Sequence, residues 1–223
     1  MTFNTVKKTF DSAPINYGEV MRYAGIKTAE KSLNALIDYC IKECERLNAV
    51  TFSVCFAETP LFLTDDKADF YAFTLKSKNL AKALCGASSA LVFACTIGIG
   101  TDRLIAKYSE LDPPRALIFQ ALGAERVETF IDAFINGYER ENDVTLTARF
   151  SPGYGDLPLA AQKDIFALLS PQKHLGLTLN ESLIMSPSKS VTAIAGIKDN
   201  VCKKENKGNS CTGCGKPDCE YRR

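Results

Sequence analysis

An abrupt change of composition at Ile197 divides the sequence into two unequal parts. Residues 198–223 contain four cysteines, seven basic and four acidic residues, and almost no large aliphatic side chains. A segment of this composition cannot bury enough apolar surface to form a core of its own. Residues 1–197 are long enough for one domain with a proper core. We therefore expect one domain over residues 1–197 and a small tail over residues 198–223, ordered by metal or by disulfides.

The first part alternates irregularly between helical and strand periodicity. Apolar spacing predicts helices over 29–47, 112–141 and 159–169, and strands over 50–57, 89–97, 144–150 and 190–197. The helix over 112–141 has the clearest pattern, because Asp112 can cap it and two prolines suit its first turn. Since there is no regular strand–helix–strand rhythm, the sequence predicts an α+β fold: a mixed, largely antiparallel, twisted sheet with flanking helices.

Charge and cysteine usage restrict the partners and the compartment. The balance of 27 basic against 26 acidic residues indicates no nucleic-acid or membrane partner. No stretch approaches 18 uninterrupted apolar residues. Five cysteines lie in apolar periodic segments, where small buried thiols are common: Cys40, Cys44, Cys55, Cys85 and Cys95. Unpaired thiols suit a reducing compartment, so we expect a cytoplasmic protein.

Residues 149–154 form an R-x-x-P-G-Y motif at the point where a predicted strand leads into a loop. The Arg149 fork can hold a carboxylate bidentately, and Gly153 lets the backbone approach a ligand closely. Tyr154 adds a flat apolar face with a polar tip. Taken alone, the motif fits an ordinary loop as well as a small-molecule site.

A second segment, residues 176–191, reads GLTLNESLIMSPSKSV. Together, the two segments resemble the S-adenosylmethionine-binding motifs of the cobalamin-dependent methionine synthase activation domain family, with Asn180 at a position that the family fills with threonine. The resemblance is specific over residues 149–197 and loose over the first hundred. It implies a set of residues that bind S-adenosylmethionine: Arg149, Pro152, Gly153, Tyr154, Glu181 and Ser182.

The resemblance also implies a reactivation function. In this family, cobalamin oxidised to the inactive cob(II) form is reduced by one electron and remethylated from S-adenosylmethionine. The protein holds the methyl group in line with cobalt, so no catalytic residue is assigned. The sequence has no D-x-H-x-x-G cobalamin-ligand motif. We therefore expect cobalamin on a separate methionine synthase chain, and an electron donor such as flavodoxin or ferredoxin.

Two other functions remain open at this point. One is an S-adenosylmethionine-dependent methyl donor module for another corrinoid methyltransferase or another acceptor. The other is a metal-stabilised protein that docks on a corrinoid protein without chemistry of its own. Two acidic pairs, Asp65 with Asp66 and Glu125 with Glu128, are interpreted as turns or solvated faces.

The tail cysteines have the spacing C-x8-C-x2-C-x4-C and are Cys202, Cys211, Cys214 and Cys219. The C-x2-C pair can turn back and present two thiolates to one ion, so the spacing predicts a metal site. A zinc knuckle and an iron–sulfur cluster both use four thiolates, and a cluster would also supply the electron that cob(II) needs. Disulfides or an empty tail are the third alternative.

Overall fold

The computed structural model describes residues 6–10, 14–27 and 31–199. The helices are α1 (Tyr17–Tyr23), α2 (Lys31–Arg46), α3 (Lys78–Ala83), α4 (Gly100–Leu111), α5 (Pro113–Asn142), α6 (Gln162–Leu169) and α7 (Pro171–Leu175), with a 3-10 turn at Leu159–Ala161. The strands are β1 (Val6–Phe10), β2 (Phe52–Pro60), β3 (Phe62–Leu63), β4 (Lys67–Asp69), β5 (Thr74–Lys76), β6 (Ser89–Thr96), β7 (Val144–Leu146), β8 (Thr178–Leu179), β9 (Met185–Ser186) and β10 (Ser190–Asp199).

Five strands form the main sheet, in the order β1-β2-β6-β10-β7. Smaller sheets of three and two strands contain β3-β4-β5 and β8-β9. Every strand pair within the described ranges is antiparallel. The predicted α+β class with an antiparallel sheet and flanking helices is confirmed, whereas its mixed character is not found there. Strand β10 also runs two residues beyond its predicted end, because Lys198 and Asp199 pair with β7.

The central strand β6 is buried along almost its whole length because helices cover both faces of the sheet. Leu91 and Phe93 point to one face and Ala90 and Val92 to the other, each fully buried. Strands covered on both faces read as continuous apolar runs, and this explains the SALVFACT sequence.

Helix α5 covers the first of these faces, which we call the α5 face. Its carboxyl-terminal half packs aromatic rings on the sheet, with centroids 5.3 Å apart for Phe56 and Phe134 and 5.4 Å apart for Phe93 and Phe134. Its amino-terminal half packs against α1, α2 and α4. Asp112 caps the helix as predicted, since its Oδ1 accepts the N–H of Arg115 at 3.3 Å. Leu117, in the same amino-terminal half, is 49% exposed.

The opposite face, which we call the short-helix face, is covered by α3, α6, α7 and the β3-β4-β5 sheet. Its core includes Phe70, Leu80, Ile165 and Leu169, none more than 1% exposed. Helices α3 and α7, like α1, were not predicted, because five to seven residues are too few to show a helical period.

Candidate functional site

The R-x-x-P-G-Y motif lies where the chain leaves the edge of the main sheet. Strand β7 ends at Leu146, earlier than predicted, and Phe150 then rejoins β10 through paired hydrogen bonds with Ile194 of 2.8 and 2.9 Å. Thr147 N–H donates to Gly196 O at 2.8 Å. The chain therefore advances three residues from Thr147 to Phe150 while its pairing on β10 advances only two, from Gly196 to Ile194. One extra residue therefore bulges from the edge beside Arg149, and such bulges re-aim a neighbouring side chain.

The Arg149 guanidinium is directed onto α5, where it meets two carboxylates one helical turn apart. Its Nη1 donates to Asp132 Oδ1 at 2.6 Å, and its Nη2 donates to Glu128 Oε2. The Arg149 side chain is 17% exposed. Burial works against its charge, but Glu128 and Asp132 together keep the pKa of Arg149 above its ordinary value. The side chain is a permanent cation held by two anions at the sheet edge.

A cavity of about 270 Å³ opens beside this ion-pair cluster, and we call it the acidic cavity. It is lined by Asn16, Glu19, Tyr23, Glu125, Glu128, Thr129 and Asp132. Four of the seven lining residues carry carboxylates, and two of these four are the partners of Arg149. Glu19 and Glu125 are ion-paired with Arg22 and Arg126, and Glu128 and Asp132 share Arg149, so the four carboxylates outnumber the three arginines paired with them.

Buried polar contacts fix the wall of the acidic cavity that α1 provides. Glu125, 1% exposed, forms an ion pair with Arg126 at 2.5 Å. Its Oε1 also accepts the N–H of Asn16 at 2.9 Å, and Arg126 Nη2 donates to the Pro14 carbonyl at 2.8 Å. The interpretation as a solvated face is therefore wrong for Glu125, whereas Glu128 is partly exposed. The helical spacing of the two residues was visible in the sequence, but nothing local indicated that the segment before α1 packs over Glu125.

The loop after Phe150 is compact. Pro152 is buried, and Gly153 adopts a φ of +90°, which favours glycine. Gly153 N–H donates to Leu157 O at 2.9 Å, so the loop closes on itself. The Tyr154 side chain is 53% exposed and presents its ring at the surface.

Glu181 and Ser182 lie in a separate element, the loop that joins β8 to β9, where both are exposed. Asn180 closes this loop, since its N–H donates to Ile184 O at 3.1 Å and its Oδ1 accepts the Ile184 N–H at 2.9 Å. The two motif segments are joined through the sheet: β10 follows the hairpin and pairs with Phe150.

The thiols divide by position. Cys40, Cys44, Cys55 and Cys95 are buried as predicted, whereas Cys85 is exposed in the turn after α3. Burial raises the pKa of Cys40, Cys44 and Cys95 to about 12, so these thiols stay protonated near neutral pH. The four tail cysteines lie outside the described residues. Within those residues, no group of His, Cys, Asp and Glu side chains is arranged to hold a metal ion.

In the part of the chain that the structure describes, no helix has the length and apolar character needed to span a bilayer.

Comparison with known proteins places this architecture in a defined class. A family model described as "Vitamin B12 dependent methionine synthase, activation domain" matches residues 80–202. Among solved structures, the chain is similar to the MetH reactivation domain bound to AdoHcy, with a TM-score of 0.64 and 16% sequence identity. The match covers 92% of this chain and 81% of that chain. No curated protein matches this chain.

The fold is that of a methionine synthase reactivation domain, and it extends into the amino-terminal residues, where the sequence resemblance was loose. The family match spans more than half of the sequence, and the chain belongs to the family of vitamin B12 dependent methionine synthase activation domains.

Proposed function

We propose that this chain binds S-adenosylmethionine at the acidic cavity and presents its methyl group to cob(II)alamin under reduction. The cobalamin would be held by a methionine synthase module outside this sequence, which itself has no D-x-H-x-x-G motif. The family membership supports this function, and the structural neighbour was crystallised with AdoHcy, the product left after methyl transfer. The observation that carries the proposal is the pairing of Arg149 with an acidic cavity.

The charges of the ligand match those of the site. S-adenosylmethionine carries a carboxylate, an ammonium and a sulfonium cation. Arg149 offers a planar fork that suits a carboxylate, and Glu128 and Asp132 beside it offer acceptors for an ammonium. Glu19 and Glu125, the other two carboxylates of the cavity, already form ion pairs with Arg22 and Arg126, so Glu128 and Asp132 also supply the charge that favours the sulfonium. Ligand pockets begin at about 300 Å³, so the cavity suits the amino-acid end of the molecule and leaves the adenosine at the surface.

Binding would exchange partners within the cluster without leaving a buried charge unpaired. Arg149 would pass from Asp132 or Glu128 to the ligand carboxylate, and the released side chain would receive the ligand ammonium. Asp132 is half exposed, so it can change partner at low cost. Each charge in the cluster would keep a counter-charge, which avoids the penalty of a buried unpaired ion.

The remaining motif residues would orient the adenosine. The Tyr154 ring is exposed and offers a flat apolar surface beside the loop, and Gly153 keeps the backbone open to close approach. Glu181 and Ser182 are proposed as ligand residues only from the family resemblance of their hairpin. The protein's contribution is positioning, because holding the reacting groups in line supplies most of what such a transfer needs.

Methyl transfer tests the proposal most simply. The purified chain is mixed with S-adenosylmethionine, a reductant and a cob(II) methionine synthase that lacks its own activation domain, and methylcobalamin is followed by its spectrum. We expect formation with the wild-type chain and little with Arg149→Ala. Arg46→Ala is the matched control, since it removes a carboxylate-paired arginine from the exposed end of α2. No methylcobalamin with the wild-type chain would refute the proposal.

We further propose that Cys202, Cys211, Cys214 and Cys219 bind one metal centre, either zinc or an iron–sulfur cluster. Their spacing supports this, because four thiolates form the ligand set of both groups. Metal analysis and a visible spectrum of anaerobically purified protein distinguish them, since a cluster is brown and zinc is colourless. Protein free of both metals would contradict the proposal. A flavodoxin or ferredoxin in the cytoplasm would supply the electron if the centre is zinc.

A further inference from the structure

The loop that follows the motif is joined to the start of α3 through Asp156. The Asp156 carboxylate accepts the Ser77 hydroxyl, the N–H of Lys78 at 2.8 Å and the N–H of Asn79 at 3.2 Å. Ser77 in turn caps α3, since its Oγ accepts the Leu80 N–H at 2.9 Å. We call this hydrogen-bonded group, Ser77, Lys78, Asn79 and Asp156, the α3 latch.

Hydrogen bonds within the loop transmit this attachment to the motif. Leu157 N–H donates to Tyr154 O at 3.0 Å, and Gly153 N–H donates to Leu157 O at 2.9 Å. Gly155 has a φ of +54°, and a Cβ built there would collide with the Asn79 side-chain amide. The loop is therefore a closed turn packed directly on α3, so fixing Asp156 fixes Gly153 and Tyr154.

The motif segment, by which we mean residues 149–156, consequently crosses the edge of the sheet and is attached on each face. Arg149 is ion-paired to α5 on one face, Phe150 is hydrogen-bonded to β10 at the edge, and Asp156 is bonded to α3 on the other face. Residues 151–155 span the distance between these anchors. Of the two outer anchors, only Arg149 belongs to the R-x-x-P-G-Y motif.

We propose that Asp156 is a positioning residue for the ligand site, and that the α3 latch holds Gly153 and Tyr154 in the arrangement that receives the ligand. The inference rests on the proposed function, and it assigns to Asp156 no contact with the ligand. Hydrogen bonds to a carboxylate are stronger than neutral ones, so three of them on one side chain select a single loop conformation. Without the latch, only a fraction of the molecules hold the loop in the conformation that binds the ligand, and the apparent affinity falls in proportion to that fraction.

The carboxylate is in the charged form that the latch requires. Asp156 is exposed, and although some loss of hydration works against its charge, the hydrogen bonds from Ser77, Lys78 and Asn79 outweigh this and lower its pKa below the ordinary value. Asp156→Asn keeps one acceptor oxygen and loses the charge, whereas Asp156→Ala loses every acceptor. The two variants therefore weaken the latch to different degrees without replacing any residue of the R-x-x-P-G-Y motif.

Amide hydrogen exchange of the ligand-free chain tests the latch without reference to any ligand. We expect Asp156→Ala to speed exchange at Gly153, Tyr154 and Leu157 by at least tenfold, with Asp156→Asn between it and the wild type. Asp69→Ala is the matched control, because Asp69 also accepts a backbone N–H, that of Tyr71 at 2.8 Å, in a different turn. Unchanged exchange at the three amides in Asp156→Ala would overturn the inference.

Calorimetric titration with S-adenosylmethionine tests the functional half. We expect Asp156→Ala to weaken binding about tenfold, Asp156→Asn to restore part of the loss, and Asp69→Ala to bind like the wild type. Equal affinity of Asp156→Ala and wild type would overturn the positioning role while leaving the proposed function intact. A wild-type chain that binds no S-adenosylmethionine would overturn both the proposed function and the positioning role, even if the exchange experiment shows that the latch is present.

Discussion

The two faces of the main sheet are covered by different kinds of secondary-structure element. One 30-residue helix covers the α5 face, and its phenylalanines interlock with those of β2 and β6. On the short-helix face no helix in the described part of the chain exceeds eight residues, and the core is assembled from elements far apart in the sequence. The motif segment is attached to both, with its charged anchor on the long helix and its loop on the short elements. The long helix α5 therefore positions the charged Arg149 side chain, whereas the short elements of the other face determine the conformation of the loop after Phe150.

The largest expected effect is the loss of unfolding free energy when one fully buried phenylalanine on each face is replaced by alanine. Phe134 packs its ring against Phe56, Phe93 and Tyr138, whereas Phe70 packs its ring against Phe73, with centroids 4.9 Å apart. We expect Phe134→Ala to cost about 4–5 kcal/mol of unfolding free energy and Phe70→Ala about 3 kcal/mol, measured by urea denaturation. A larger loss for Phe70→Ala would reverse the comparison between the faces.

The α5 face should also determine the preference for charge in the ligand. Because Glu128 and Asp132 together carry one more charge than Arg149, we expect S-adenosylmethionine to bind about tenfold more tightly than AdoHcy, whose sulfur is an uncharged thioether, with the difference shrinking in high salt. Glu128→Gln should narrow the difference, whereas Asp156→Ala should weaken both ligands equally. Paired calorimetric titrations measure this. Equal affinities in low salt would exclude the cavity as the site of the sulfonium.

A smaller effect is expected where α5 is fastened to β2. The Tyr138 hydroxyl donates to Glu58 Oε1 at 2.6 Å, and burial, with Glu58 next in importance, raises the pKa of Tyr138. Tyr138→Phe should cost about 1 kcal/mol, because Glu58 is exposed and water can replace the lost donor. Urea denaturation measures this loss. Tyr39→Phe is the control, because it removes a hydroxyl that is hydrogen-bonded to Tyr108, away from the main sheet. No loss in Tyr138→Phe would mean that ring packing alone fastens the helix.

The smallest effect is the pH dependence of the α3 latch. Because the folded-state pKa of Asp156 is lowered, its contribution to stability is fully present above the unfolded pKa of about 3.9. It is lost as the pH falls through the lower folded value. The difference in melting temperature between wild type and Asp156→Asn should therefore be constant from pH 7 to 5 and shrink below pH 4. A difference that grows on acidification would contradict the assigned role.

The contrast between the faces also explains what the sequence could reveal. Helix α5 was predictable with its Asp112 cap, as were β6 and β10, because long elements repeat their period several times. The end of β7 was predicted wrongly, because the bulge beside Arg149 depends on pairing with β10. The acidic cavity and the α3 latch could not be predicted, since Glu125 meets Asn16 across 109 residues and Asp156 meets Ser77 across 79.

The central claim is that Arg149 and the acidic cavity bind S-adenosylmethionine. Calorimetric titration of the wild type, Arg149→Lys and Arg149→Ala tests it most directly, with Arg46→Ala as the control. We expect about 100-fold weaker binding for Arg149→Ala, because a charged bidentate contact is lost. Arg149→Lys should recover only part of the loss, since lysine keeps the charge but not the fork. Wild-type affinity in Arg149→Ala would contradict the claim.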